Sequence, residues 1–157
     1  MRPFVDKAAP EVWEAARAYS AAVTKAAAER GLADSERELI KVRASQLNGC
    51  AFCLDLHARE AREVGVPQQK LDLLPAWRET DLYSEREKAV LAVTEAATRL
   101  PLTDEAEADL DGARHVLGDD AFVGAEWIAI TINAFNRISI LSRHPVRPRD
   151  AQGKLLR

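Results

Sequence analysis

The chain has 157 residues, 47% of them hydrophobic and 30% charged, the composition of one globular domain over residues 1–157 rather than of a disordered polymer. A net charge of −3 supplies no basic stripe for nucleic acid. The C-terminal Arg143, Arg147, Arg149, Lys154 and Arg157 have no interleaved aromatic residues and read as a solvated tail. The N-terminal MRPFVDKAAP lacks an apolar signal core, and the most apolar stretch, Ala121 to Leu141, is interrupted by Glu126, Asn133, Asn136 and Arg137. No nucleic-acid partner, no membrane partner and a cytoplasmic location are therefore expected.

Helical periodicity runs through the chain, and Gly and Pro fall mostly between the periodic segments. The first helix is expected from about Ala9 to Arg30, with Pro10 in its first turn and Gly31 beyond its end. Asp34 or Ser35 caps a second, about Glu36 to Leu47, closed by Asn48-Gly49. A third starts at or just after Cys50 and runs to Val64, with Gly65 after it. Pro67 opens a short helix to Leu73, and Pro75 to Tyr83 reads as a loop carrying Trp77. Ser84-x-x-Glu87 is a capping box for a helix to Arg99, stopped by Pro101. Thr103 caps a helix over Asp104 to Leu117, Gly118 ends it, and a last helix covers Asp120 to Ser142, closed by His144-Pro145. The fold class is all-α: a compact bundle of about six to seven helices.

Both cysteines of the chain lie in one motif, Cys50-Ala-Phe-Cys53, with His57 four residues on. At about 100° per residue, a helix over 50–62 puts Cys50 within about 20°, and Cys53 within about 40°, of His57. Two thiols and an imidazole then share a face. Free backbone amides at a helix start favour a thiolate, so the thiol nearest that start is expected to have a lowered pKa. A neighbouring His can take the thiol proton, a carboxylate can orient that His, and the second cysteine can condense with an oxidised first. Glu38, twelve residues before Cys50 on the preceding helix, is the candidate carboxylate. A local role competes with this, since Ser35-x-x-Glu38 also fits a capping box.

The run Glu38-Leu-Ile-Lys-Val-Arg-Ala-Ser-Gln-Leu-Asn-Gly-Cys50-Ala-Phe-Cys53-Leu-Asp-Leu-His57 resembles the core motif of the AhpD-like family, within the carboxymuconolactone decarboxylase superfamily. The runs Leu74 to Trp77, Tyr83 to Thr98 and Trp127 to Arg137 are similar to the family's later segments, so the resemblance covers about residues 35 to 140. It implies an all-α subunit assembling as a homo-oligomer, trimer or hexamer. It also implies weak reduction of a hydroperoxide, or of a partner's disulfide, with turnover by an external thiol donor. Cys50 and Cys53 would be the redox pair, and Glu38 and His57 the proton relay. Of the two orders of attack, Cys53 on peroxide with Cys50 resolving is preferred. Phe52 departs from the best-known alkylhydroperoxidase D proteins, which carry a histidine there, and a weaker peroxidase is expected. The superfamily's decarboxylases generally lack the C-x-x-C, so that activity is not carried over.

Two other readings of the motif stand beside this one. Cys50, Cys53, His57 and Glu38 have the donor types of a zinc site, although no second C-x-x-C completes the usual ligand set. Alternatively, the cysteines are small buried hydrophobes in a non-catalytic interaction module. No Gly-rich nucleotide loop is present, and no cofactor is expected. His115 reads as solvated, and Trp13, Trp77 and Trp127 as core or interface residues. Asp55 reads as turned away from the thiol face. The polar residues of the last helix are expected to pair at a subunit interface or with a carboxylate such as Glu95.

Overall fold

The computed structural model describes residues 1–156. Seven α-helices follow in order: α1 Val5–Ala8, α2 Pro10–Glu29, α3 Asp34–Asn48, α4 Ala51–Glu63, α5 Gln68–Leu73, α6 Glu85–Thr98 and α7 Asp104–Ser142. A 3-10 segment, Leu74–Glu79, links α5 to the loop before α6. No β-strand occurs among the described residues; one antiparallel bridge joins Arg149 to Leu155. No helix is long and apolar enough to cross a membrane.

The all-α class is as the sequence predicts, and the helix ends are set by the residues that predict them. Gly49 adopts φ 65° as the left-handed C-cap of α3, which a Cβ would strain. Ser84 Oγ accepts from Glu87 N at 3.1 Å while Glu87 Oε2 accepts from Ser84 N at 2.7 Å, so the capping box before α6 is formed. Gly118, at φ 74° and ψ 160°, breaks α7 into the two helices expected there.

Three local expectations are corrected. The short α1 precedes the first predicted helix. Part of the predicted loop after Pro75 is a 3-10 helix that buries Leu74 and Trp77. The start of α3 is also two residues earlier than the Ser35 box requires, with Ala33 at the N-cap: Ala33 N donates to Glu36 Oε2 at 2.9 Å. Glu36 is the capping carboxylate, so Glu38 is free for other use.

The core forms around α6, in which every residue from Ala89 to Ala96 is buried, as suits a helix apolar nearly all round. It packs along α7 and against α3, while α2 lies on α7 and α4 on α3. Leu39, Ile40 and Val42 of α3 meet Val90, Leu91 and Val93 of α6, with Ala125, Ile128 and Ala129 of α7 alongside. Gly124 allows α2 close to α7: a Cβ there would stand 3.3 Å from Ala27 Cα. The buried Glu95 accepts from Arg43 Nε at 2.9 Å and Nη2 at 2.7 Å, from Trp77 Nε1 at 3.0 Å and from Arg78 at 3.2 Å. It therefore closes α3, the 3-10 turn and α6 together, and is not the partner of the α7 polar residues.

Candidate active site

Helix α4 begins where the left-handed Gly49 turns the chain back from α3, and this turn puts Cys50 at the N-cap. Its backbone is extended (φ −85°, ψ 93°), outside the helix. The simple face count therefore holds for Cys53 and His57, one turn apart, but not for Cys50. Cys50 Sγ accepts from Cys53 N at 3.4 Å. Both thiols are free and deeply buried, at 2% and 4% exposure.

That burial overturns the expected thiol shift. Desolvation pushes the Cys50 thiol up to about 12, with the contact to the Cys53 side chain adding to it; the Cys53 amide and Asn136 pull the other way. A helix N-terminus contributes about 0.3–1 kcal/mol to a nearby anion, too little to offset removal of a thiolate from water.

The residues expected to form a proton relay come together from two helices. His57 Nδ1 lies 3.1 Å from Glu38 Oε2 on α3 and 2.9 Å from Glu60 Oε2 on its own helix. Glu38 Oε1 accepts from Lys41 Nζ at 2.6 Å. With both carboxylates on Nδ1, that nitrogen carries the proton and Nε2 is the ring's other face. Burial works against a charged His57, but the hydrogen bonds to Glu38 and Glu60 override it and hold its pKa above the ordinary value. Burial likewise works against an ionised Glu38, and His57 and Lys41 override it to hold the carboxyl below its ordinary range.

Glu38, His57 and Glu60 bring ligand atoms within 4.8 Å of one another, and neither thiol joins that cluster. The three could hold a divalent cation, but Lys41 already supplies a positive charge to Glu38. The four-ligand zinc set of Cys50, Cys53, His57 and Glu38 is not formed.

Helix α7 supplies the floor. Asn48 Nδ2 donates to Asn133 Oδ1 at 2.8 Å and to Asn136 Oδ1 at 2.9 Å, and Asn136 Nδ2 donates to Ser45 Oγ at 3.1 Å. Asn133 also donates to Thr98 Oγ1 at 2.9 Å, and Arg137 to Asn133 O at 2.9 Å. Asn133 and Asn136 thus find partners within the subunit, on α3 and α6, and Arg137 on α7 itself, which corrects the expected Glu95 pairing. Trp77 is core, His115 is exposed, and Asp55 faces Arg59 and Arg149. This contact draws Arg149, half-buried, out of the solvated tail.

Beside His57 opens a cavity of about 370 Å³ between α2, α4 and α7. Its lining includes Trp13, Phe52, Leu56, His57, Phe135 and His144, but neither thiol. His144, read from the sequence as a helix terminator, does close α7 through its amide to Ser139 O at 3.1 Å; its ring also faces this cavity. Glu60 and Lys41 were the other residues missed, although His57-x-x-Glu60 and Glu38-x-x-Lys41 both have the spacing of side chains that meet on a helix.

The chain matches the carboxymuconolactone decarboxylase family over residues 10–96, more than half its length. It is 42% identical over 104 residues to the uncharacterized protein YdfG of Bacillus subtilis, spanning 66% of this chain and 71% of that one. Over 67 residues it is 33% identical to the uncharacterized protein YnjA of Escherichia coli, spanning 43% of this chain and 37% of that one. A solved structure from Agrobacterium tumefaciens, a protein of unknown function proposed to be the antioxidant defence protein AhpD, matches with a TM-score of 0.79. The two are 34% identical over 92% of this chain and 99% of that one. The chain belongs to the AhpD-like carboxymuconolactone decarboxylase family. The family match contains Glu38, Cys50, Cys53 and His57, whereas Asp6, Asn136, Ser139 and His144 lie outside it.

Proposed function

We propose that this protein is a thiol peroxidase or disulfide reductase acting through Cys50 and Cys53, with Glu38 and His57 as proton relay. The observation that carries this is the pairing of two free thiols at the start of α4 with a partly buried imidazole one turn on, held through Nδ1 by Glu38. Cys53 passes its proton to His57. The thiolate attacks the distal oxygen of a hydroperoxide and the O–O bond breaks. Sulfur loses two electrons and becomes a sulfenic acid, and the alkoxide leaves with the proton returned by His57. The Cys50 thiol then condenses with the sulfenic acid, forming the disulfide and releasing water. The high pKa of Cys50 supports its place as the resolving rather than the attacking thiol. An external thiol donor restores the dithiol by exchange, and a partner's disulfide can take the place of the peroxide.

The same reading makes the protein a single-domain cytoplasmic enzyme working as a homo-oligomer. Trp127, Ile130 and Leu141 on α7 are exposed apolar residues that a second copy would cover. The chemistry is tested by adding one equivalent of hydroperoxide to the reduced protein and counting alkylatable cysteines by mass. Both thiols should become protected together, and Cys50→Ser or Cys53→Ser should abolish turnover. Near-wild-type turnover in Cys53→Ser would overturn the two-thiol scheme.

A further inference from the structure

The cavity beside His57 holds a second set of polar groups that the thiol chemistry does not use. Asp6, Ser139 and His144 all line it. Asp6 comes from α1, Ser139 from the last turn of α7, and His144 from just beyond that turn. His144 Nε2 lies 3.0 Å from Asp6 Oδ1, and its Nδ1 lies 3.3 Å from Ser139 Oγ. Phe4 and Phe52 set their rings edge-on to the imidazole, each with centroids 5.2 Å away. Val5 N donates to Ser142 Oγ at 2.9 Å, which pins α1 to the end of α7. Asp6 and the two phenyl rings thereby hold the imidazole with its Nδ1 toward Ser139.

The Ser139 hydroxyl, like those of Thr98 and Ser142, lacks the local bond made by four other helix hydroxyls. Thr24, Ser45, Thr94 and Thr131 each donate to the carbonyl four residues earlier, the usual local bond of a hydroxyl within a helix. Among the described residues the partner of Ser139 Oγ is His144 Nδ1 instead. When Nε2–H donates to Asp6, Nδ1 accepts from Ser139, and the Ser139 oxygen keeps lone pairs for a donor in the cavity. When the ring is an imidazolium, Nδ1–H donates to Ser139 and the hydroxyl hydrogen is free for an acceptor. Either state offers one oxygen that can pair with an O–H group. The walls around it are apolar, with Trp13, Leu56, Ile128, Ile132 and Phe135 among them.

We propose that Asp6, His144 and Ser139 form a hydroxyl-binding subsite, in which Ser139 pairs with the oxygen of an organic alcohol or hydroperoxide whose hydrocarbon body fills the cavity. Asp6 and His144 are positioning residues that act through Ser139. The inference deepens the peroxide reading and rests on it for the reaction served, but the binding can be measured without turnover.

The test titrates the full reduced chain with 2-phenyl-2-propanol and with cumene, its hydrocarbon analogue, by calorimetry. Ser139→Ala should weaken the alcohol by about three- to ten-fold, the worth of one hydrogen bond, and leave cumene unchanged. Ser139→Thr, which keeps the hydroxyl, should retain alcohol binding. Asp6→Asn, which keeps the side-chain volume, should fall between Ser139→Ala and wild type; circular dichroism checks the fold of each variant. Equal affinity for the alcohol in wild type and Ser139→Ala, or no binding of either probe to wild type, would overturn the subsite. Ser139-dependent alcohol binding, with no thiol oxidised by cumene hydroperoxide, would sink the peroxide reading and leave the subsite standing. Thiol oxidation with Ser139-independent binding would do the reverse.

Discussion

Removing the charge of each carboxylate that flanks His57 should reveal a shared task. Glu38 and Glu60 both reach Nδ1, at 3.1 and 2.9 Å. A hydrogen bond to a charged partner is worth about 1.5–3 kcal/mol, roughly ten- to a hundred-fold in rate where the imidazolium is the acid. The Glu38 side chain is 10% exposed and that of Glu60 39%, so solvent screening reduces the Glu60 share to about 0.2–1 kcal/mol, a few-fold at most. Glu38→Gln keeps an acceptor near Nδ1 and leaves Glu60 in place, so it should slow peroxide-driven thiol oxidation about ten-fold. Glu60→Gln should slow it about two-fold. The double variant loses the last anion on Nδ1 and should be about a hundred-fold slower, more than the product of the single effects.

The assay is single-turnover oxidation by stopped flow across pH, with the His57 titration followed by NMR. The sign follows from the raised His57 pKa. Stability from such a group is fully present below the unfolded value near 6.5 and is lost as pH rises through the folded value. Either substitution should therefore move the alkaline limb of the rate profile to lower pH. A double variant no slower than Glu38→Gln, or an alkaline limb that stays in place, would refute the reasoning.

Three further outcomes are expected. Glu95→Gln removes the buried charge that faces Arg43 and Arg78, and should cost about 3 kcal/mol, lowering the thermal midpoint by roughly 6–12 °C for a domain of this size. Burial pushes the Glu95 carboxyl up, but Trp77 and Arg43 override it and hold its pKa low. Its contribution is thus present above the ordinary value of 4.5 and lost as pH falls through the folded value, so the gap to wild type should narrow in acid. Asn136→Leu leaves Asn48 and Ser45 short of a partner and should cost about 1–3 kcal/mol in urea unfolding. It also removes a group that lowers the Cys50 pKa, so mass-counted alkylation of Cys50 should be slower still. Gly124→Val drives a side chain against the Ala27 backbone and should cost about 1–3 kcal/mol by overpacking; a thermal midpoint equal to wild type would exclude close α2–α7 contact.

The bundle is legible because each helix carries its own punctuation. Gly31, Gly49, Gly65 and Gly118 all have positive φ at the predicted breaks, and the Ser84 box forms as written. Glu38 and His57 meet as expected because Glu36, not Glu38, takes the capping role, a choice between two carboxylates two residues apart that spacing alone does not make. The thiol environment is not legible from the local motif. Whether Cys50 meets water depends on α7, whose Asn136 lies 86 residues away in sequence yet touches the same thiol. The subsite of Asp6, Ser139 and His144 is harder still, since its members come from opposite ends of the chain and no spacing rule links them.

The magnitudes decide how a thiolate could form here. A helix start offers about 0.3–1 kcal/mol, whereas burying an ionisable group can shift it by three units, about 4 kcal/mol. Cys50, pushed up to about 12 by its burial, is therefore a poor source of thiolate. In the proposed scheme the proton of the attacking thiol stays nearby, on an imidazole whose positive charge is already provided for. Two carboxylates and one ammonium surround His57, which leaves one negative charge in excess before the ring is protonated. Protonation of His57 neutralises that excess, and a thiolate on Cys53 then restores it rather than adding a second isolated charge. On this reasoning Glu60 makes proton transfer within the site less costly, and Lys41 keeps Glu38 ionised through the step. The cavity meets His57 but neither thiol, so in the proposed scheme His57 is the member of the pair that can return a proton to an alkoxide held there.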